Sequence, residues 1–292
     1  MNDQQKDHHD IMIRFWGTRG SIPTPGRYFI KYGGNTPCVE VRCGDTILIF
    51  DAGSGMRELG AAHIHEFGAT PKEYHIFISH THWDHIQGFP FFNMAYLPHN
   101  TINFYGGNSV STLEKLIYGQ MEKEYFPVSL YELASNISFT TLTDSPFSIG
   151  DIRIHFTHQI HPSLSLGFRI EYKGRTVVYA TDSELSSDPE IAAVNERNIG
   201  NLIHDADVLI ADCQYTKDQY ETKIGWGHSS IDKVVEMCNR FKVRNLFAFH
   251  HDPLRTDEEV DIMIMDAQKL AEPPLRIFGA KEKSTLYLSA KR

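Results

Sequence analysis

The chain has little of what would anchor a protein in a membrane or hold it together covalently. No stretch of its 292 residues approaches the roughly 18 consecutive apolar residues of a transmembrane helix. The opening decapeptide, MNDQQKDHHD, lacks the apolar core of a secretory signal and reads as a disordered polar tail over residues 1–10. Cysteine is scarce: Cys38, Cys43, Cys213 and Cys238 are scattered and form no CxxC pair. Structural thiols in a reducing compartment are therefore expected, not a disulfide framework. Basic residues are outnumbered, with 28 Lys and Arg against 37 Asp and Glu, a net charge of −9. Such a chain has no general attraction for a phosphate backbone, which counts against a dedicated nucleic-acid binder. A small phosphorylated substrate stays open, because bound cations reverse the sign of a site. No internal repeat and no low-complexity tract is visible. A soluble, cytoplasmic globular protein is the expectation.

A 41% hydrophobic content is enough to bury a sizeable core. Strands are predicted at Ile11–Trp16, Cys38–Cys43, Thr46–Phe50, Tyr74–Ser79, Ile137–Leu142 and Ile152–His158. Two more flank the Lys173–Gly174–Arg175 turn, and further strands cover Asp207–Cys213, Asn245–His250 and Ser284–Leu288. Helices are predicted near Met56–Phe67, Ser111–Gln120 and Asp188–Ile203. Apolar Ile231, Val234, Val235, Cys238 and Phe241 mark one face of another over Ser230–Phe241. Thr256 and Glu259 form a capping-box pattern that opens a helix to about Leu270. The aromatic stretch near 89–137 reads as an insertion that walls a site. Phe91, Phe92, Tyr96, Tyr105, Tyr125 and Phe126 are its candidate base-stacking residues, though each residue type is more often core. Strands first, then helices among strands, suits two sheets covered by outer helices better than one doubly wound sheet.

Histidine is abundant, at 16 residues, and clustered. The sharpest feature is His80-Thr81-His82-Trp83-Asp84-His85, directly after a strand-like run. Three imidazoles and a carboxylate in six residues are costly for folding alone, because each is a polar group that needs a partner if buried. A loop at a strand end can aim alternate side chains into one cleft, and these groups suit zinc and similar divalent ions.

This hexapeptide resembles the HxHxDH signature of the metallo-β-lactamase superfamily. The resemblance implies a four-layer αββα sandwich over residues 11–292. It implies two divalent metal ions, zinc first, with manganese or iron as alternatives. His80, His82 and His161 would hold one ion and Asp84, His85 and His250 the other. Asp182 would bridge them together with a hydroxide that attacks a phosphorus or carbonyl centre. His158 and His251 are alternatives to His161 and His250. His161 is preferred because a Pro and a strand follow it, and His250 because it directly follows the apolar strand. Asp51, in LIFDAGSG, is either an acceptor that supports a metal ligand or a turn residue bonding its own backbone. Trp83 either walls the site or packs.

GTRGSIPTPG, GGNTPCVEV, LIFDAGSG, YATDSE and GHSS together resemble the branch of RNase Z and of the phosphonate-pathway and cyclic-nucleotide phosphodiesterases. That resemblance gives His228 contact with the scissile phosphate and an acidic partner, Asp212. A carboxylate against an imidazole raises its pKa and fixes its tautomer, so His228 would serve as general acid. The bland alternative is a His near a helix cap formed by Ser229 or Ser230. The candidate catalytic residues are thus Asp84, His228 and Asp212.

The expected activity is a phosphodiesterase on a small or cyclic nucleotide-type substrate. An RNase Z-like tRNA 3′ endonuclease is the nearest alternative, disfavoured because no Gly-, Pro- and Lys-rich arm is visible. A lactone or thioester hydrolase and a non-catalytic metal-bound sensor are the others. The implied partners are a small phosphodiester, no membrane, and a second copy, since such relatives commonly form homodimers.

Overall fold

A computed structural model describes residues 10–186 and 188–291. Fourteen strands form two seven-stranded sheets. The first half of the chain supplies β1 (Ile11–Gly17), β2 (Cys38–Cys43), β3 (Thr46–Phe50), β4 (Glu73–Phe77), β5 (Thr101–Gly106) and β6 (Asn136–Thr141). The second half supplies β7 (Phe147–Ile149), β8 (Ile152–Gln159), β9 (Ser165–Tyr172), β10 (Arg175–Ala180), β11 (Val208–Asp212), β12 (Asn245–Phe249), β13 (Arg276–Gly279) and β14 (Thr285–Leu288). The first sheet runs β14-β1-β2-β3-β4-β5-β6 and the second β13-β12-β11-β10-β9-β8-β7. In the second sheet short turns make β7 to β10 antiparallel. In the first, β2 and β3 share a short turn, β1 reaches β2 through residues 18–37, and β14 joins β1 from the far end of the chain. Helical crossovers make β3 to β6 and β10 to β13 parallel.

Side-chain alternation builds the layers. Leu48 and Phe50 of β3 face Val177, Tyr179, Val208 and Ile210 in an apolar layer between the sheets. Ile47 and Ile49 face outward onto Met56 and Leu59 of helix Gly55–Phe67. Val178, Leu209 and Ala211 face outward onto helices Ile231–Arg240 and Asp257–Gln268. The order is helix, sheet, sheet, helix: an αββα sandwich. All four cysteines are free and buried, and Cys38 and Cys43 point to opposite faces of the first sheet. Glu40 lies buried under the outer helix, where Trp16 donates to it at 2.9 Å and His63 and Arg42 crowd its other oxygen at 2.9 and 2.5 Å.

Two expectations need correction. The stretch near 89–137 is not a separate insertion, because it contains β5, hydrogen-bonded between β4 and β6. Phe92 and Phe104 are core, and Tyr105 stacks on Phe77 between the sheets. The helix predicted over 188–203 is present without a gap from Pro189 to Ile203, capped by Asp188, and it widens into a π turn over Glu196–Gly200. The predicted tail 1–10 lies outside the described residues except Asp10, whose carboxylate accepts from Ala290 N at 2.8 Å and Lys173 Nζ at 2.6 Å. Among the described residues no helix is long and apolar enough to cross a membrane.

Candidate metal centre

Chain order is undone at one end of the sandwich. Asp51 directly follows β3, and the loop carrying His80 to His85 follows β4. His161 lies just beyond β8, Asp182 follows β10, Asp212 ends β11 and His250 follows β12. These are carboxyl ends of strands, where α/β sheets place their ligands. Asp51, Asp182 and His250 have φ of 60°, 50° and 57°. Non-glycine residues rarely hold this left-handed conformation, and such strain gathers at functional sites.

The donor atoms crowd together. One atom each from His80, His82, His161 and Asp182 lie within 4.8 Å of one another, as do those of Asp84, His85 and His250. Asp182 faces both groups: Oδ2 is 3.5 Å from His80 Nε2, and Oδ1 is 3.3 Å from the Nε2 atoms of His85 and His250. Asp84 Oδ2 lies 3.1 Å from His85 Nε2 and 3.2 Å from His250 Nε2. Tetrahedral zinc with bonds of about 2.0–2.1 Å would space its donors about 3.3–3.4 Å apart, close to these separations.

The imidazoles are held with their lone pairs inward. His85 Nδ1 donates to Asp51 Oδ2 at 2.7 Å, His161 Nδ1 to Gly227 O at 3.0 Å, and His250 Nδ1 to Gln214 Oε1 at 3.3 Å. His80 Nδ1 meets Ser79 Oγ at 3.1 Å. Each bond puts the ring proton on Nδ1 and frees Nε2 for a cation. His82 is reversed, with Nδ1 3.3 Å from His161 Nε2. The buried Nε2 atoms of His80 and His85 have no hydrogen-bond partner of acceptable geometry. Unpaired buried nitrogens facing carboxylates are the donor set of a metal site, and these residues fit one. Burial lowers the pKa of His80, His82 and His161. It opposes ionisation of Asp84 and Asp182 too, yet the surrounding imidazoles hold both carboxyls well below their usual range.

Asp51 settles beside this cluster as an acceptor, not as a turn residue bonding its own backbone. It takes hydrogen bonds from Ser79 N, Ser79 Oγ, His85 Nδ1 and Tyr179 OH, all at 2.7 Å. His228 stands above His250, ring centroids 4.9 Å apart, and its Nδ1 is 2.6 Å from Asp212 Oδ2. Burial pulls the His228 pKa down, but Asp212 outweighs it and raises the ring to about 9. Gln214 N holds the other Asp212 oxygen at 2.9 Å.

Two loops close the site. In GTRGS, the buried Arg19 guanidinium bonds the carbonyls of Gly33, Asp252 and Arg255, and Ser21 N donates to Asp84 Oδ2 at 2.8 Å. A Cβ on Gly20 would lie 2.5 Å from the His250 ring. Gly227 has φ of 85°, and a Cβ there would lie 2.1 Å from His161 Nδ1. Both glycines let backbone approach a metal-facing imidazole.

Residues 46–251 match a family described as the beta-lactamase superfamily domain. The chain belongs to the metallo-β-lactamase superfamily. Ribonuclease Z of Thermoplasma acidophilum is 23% identical, over 89% of this chain and 92% of that one. The crystal structure of the metallo-beta-lactamase fold protein YhfI from Bacillus subtilis aligns with a TM-score of 0.66 at 19% identity, covering 94% of this chain and 98% of that one. The short form of human tRNase Z aligns with a TM-score of 0.64 at 19% identity, covering 95% and 99%. The two solved structures share the fold, the ribonuclease Z relative supports the RNase Z-like branch, and the chain is a metal-dependent hydrolase of the metallo-β-lactamase superfamily.

The two alternative histidines fall outside the metallo-β-lactamase donor cluster. His158 is exposed, and its backbone on β8 pairs with Leu166. His251 is buried with Nε2 2.9 Å from Ala280 O, and burial lowers its pKa to about 3. Several supporting residues escaped the sequence reading: Ser79, Tyr179, Gln214, Glu184 and the Ser21 amide. Glu184 stood in view two residues after Asp182. Its carboxylate accepts from Gly225 N and Gly227 N at 2.8 Å and from Tyr220 OH at 2.7 Å. Tyr179 and Ser21 also lay within YATDSE and GTRGSIPTPG, but their bonds to the site, like that of Gln214, run through space.

Proposed function

We propose that the chain is a binuclear phosphodiesterase acting on a small or cyclic nucleotide-type diester. The observation that carries this reading is the His228–Asp212 pair, joined at 2.6 Å and set over the donor cluster. His80, His82 and His161 would hold one divalent cation, Asp84, His85 and His250 a second, and Asp182 would face both. Imidazoles outnumber carboxylates in that set, which favours zinc. When bound, such a pair activates water near neutral pH and neutralises charge at phosphorus.

The protein side of the mechanism follows from the hydrogen bonds. Asp212 accepts from His228 Nδ1 and keeps the imidazole in register, so the proton on Nε2 is the one available to the leaving alkoxide oxygen. An alkoxide is a poor leaving group at neutral pH, and a placed general acid contributes about 10²–10⁴ in rate. A carbonyl ester needs this less, which is why the pair favours phosphate chemistry over a lactone or thioester.

Substrate size is argued from charge and shape. The net charge of −9 gives no general attraction for an RNA backbone, and the stretch between Asp182 and His228 holds short helices where a Gly-, Pro- and Lys-rich arm is expected. A second reading, tRNA 3′ processing, is favoured by the relatives named ribonuclease Z and tRNase Z. A panel of bis-p-nitrophenyl phosphate, cyclic nucleotides, precursor tRNA, a lactone and a thioester decides among them. Small diesters should turn over fastest, and His228→Ala should lower kcat by about 10²–10⁴ with metal content retained. A higher kcat/KM on precursor tRNA selects the second reading, and faster lactone turnover rejects both. An unchanged His228→Ala rate rejects the acid role.

A further inference from the structure

Two of the three tryptophans stand in water beside the donor cluster. Trp83 is 73% exposed and Trp226 57%, whereas Trp16 is buried. Large aromatics left exposed in a soluble domain mark a contact surface when they gather at one place. These two do. Trp83 adjoins His82, and Trp226 adjoins Gly227, whose carbonyl accepts from His161 Nδ1 at 3.0 Å. His82 and His161 meet at 3.3 Å and are the exposed and half-buried members of the cluster. Trp83, His82, His161, Gly227 and Trp226 are thus linked neighbour to neighbour, by sequence or by contact.

The turn carrying Trp226 is anchored. Buried Glu184 fixes the amides of Gly225 and Gly227 and the hydroxyl of Tyr220, so the indole is presented outward from a fixed base. Lys223 Nζ sits 4.0 Å from the Trp226 ring centroid, adding a cation to an apolar rim. An aromatic face paired with one positive charge suits a planar base joined to a phosphate.

We propose that Trp83 and Trp226 form a stacking site for the nucleobase next to the scissile phosphate, with Lys223 meeting the phosphate charge at its edge. This rests on the phosphodiesterase reading. It makes the rim a determinant of specificity separate from the metal-facing residues.

Thymidine 5′-(p-nitrophenyl phosphate) and methyl p-nitrophenyl phosphate share a leaving group and differ in the nucleoside, sugar and base together. For the metal-loaded protein, KM for the thymidine ester is expected about 10-fold lower, within the range of base–aromatic stacking. Trp83→Leu with Trp226→Leu should bring that ratio to about one, while Tyr287→Leu, on the edge strand β14, keeps it. Adenosine 5′-monophosphate should quench the indole fluorescence of the unsubstituted protein, and ribose 5-phosphate should not. Retention of the KM ratio in the double variant, or absence of quenching by the nucleotide, overturns the proposal. If no diester is hydrolysed the phosphodiesterase reading fails, and the quenching experiment still decides whether bases bind. Weakened cleavage of a dinucleoside monophosphate by the double variant would assign the base to a small nucleotide, and weakened cleavage of precursor tRNA to an RNA. Either supports the stacking site.

Discussion

Asp51→Asn is nearly isosteric, yet its consequences can be worked out atom by atom. The carboxylate is fully buried and accepts four hydrogen bonds, one at Oδ1 from Ser79 N and three at Oδ2. Asparagine offers one oxygen and one NH2. With its oxygen in the Oδ2 place, the NH2 meets the Ser79 amide donor to donor. Turned over, it presents N–H to His85 Nδ1, which must then accept, moving the ring proton to Nε2 where a cation would bind. Each arrangement replaces a charge-assisted bond and leaves a buried donor unpaired or a ligand in the wrong tautomer. The expected loss is about 2–4 kcal/mol of stability, or roughly 5–15 °C in Tm for a domain of this size. Zinc affinity should fall about 10–100-fold, as for other residues that support a metal ligand. Thermal melts and chelator competition measure the two effects separately. Tyr179→Phe is the control: it removes one of the four bonds, leaves the His85 tautomer alone, and should cost about 1 kcal/mol with metal affinity retained. A Tm within about 1 °C of the parent and unchanged zinc affinity for Asp51→Asn would refute this account of the site.

Other consequences lie elsewhere in the fold. Burial raises the Glu40 pKa, but His63 and Arg42 outweigh it and lower the group from 4.5 to about 2. A depressed carboxyl stabilises the fold above its unfolded pKa and loses that contribution as pH falls through the folded value. About 3 kcal/mol should therefore disappear between pH near 4.5 and pH near 2, and Glu40→Gln should flatten that part of a urea-melt series. Gly20→Ala drives a methyl to within 2.5 Å of the His250 ring. It should cost about 1–3 kcal/mol and weaken metal uptake, as seen by metal content after dialysis; full retention of metal would show that His250 has room to shift.

How much of this was open to reading from sequence depends on distance along the chain. β3 and β12 stand out because apolar runs end in polar, glycine- or histidine-rich turns. β5 does not, although its burial alternates strictly, with Ile102 and Phe104 buried against Thr101, Asn103 and Tyr105. The period of two was present in TINFYG, but the surrounding aromatics raised hydrophobicity everywhere and blurred its edges. β7 and β13 are three and four residues long, too short for a period to declare itself. The π turn at Glu196–Gly200 is invisible for another reason: a helix with one extra residue keeps nearly the same composition.

The site divides along the same line. The HTHWDH loop announces itself because its donors are neighbours in sequence. His161, Asp182 and His250 could be placed only through resemblance, which set His161 apart from His158 by the Pro and strand after it and His250 from His251 by the apolar strand directly before it. What separates them in the fold is backbone direction. His250 turns into the left-handed region as β12 ends, and this swings its imidazole toward Asp84, while His251 goes back into the core against Ala280. Asp51 and Asp182 make the same turn after β3 and β10. Three such residues store about 1–3 kcal/mol apiece. Four bonds offset the first at Asp51, while Asp182 accepts from Thr181 Oγ1 at 2.7 Å and His250 donates to Gln214 Oε1 at 3.3 Å. A cation between Asp84, Asp182 and the imidazoles would reward the donor atoms that this strain brings together.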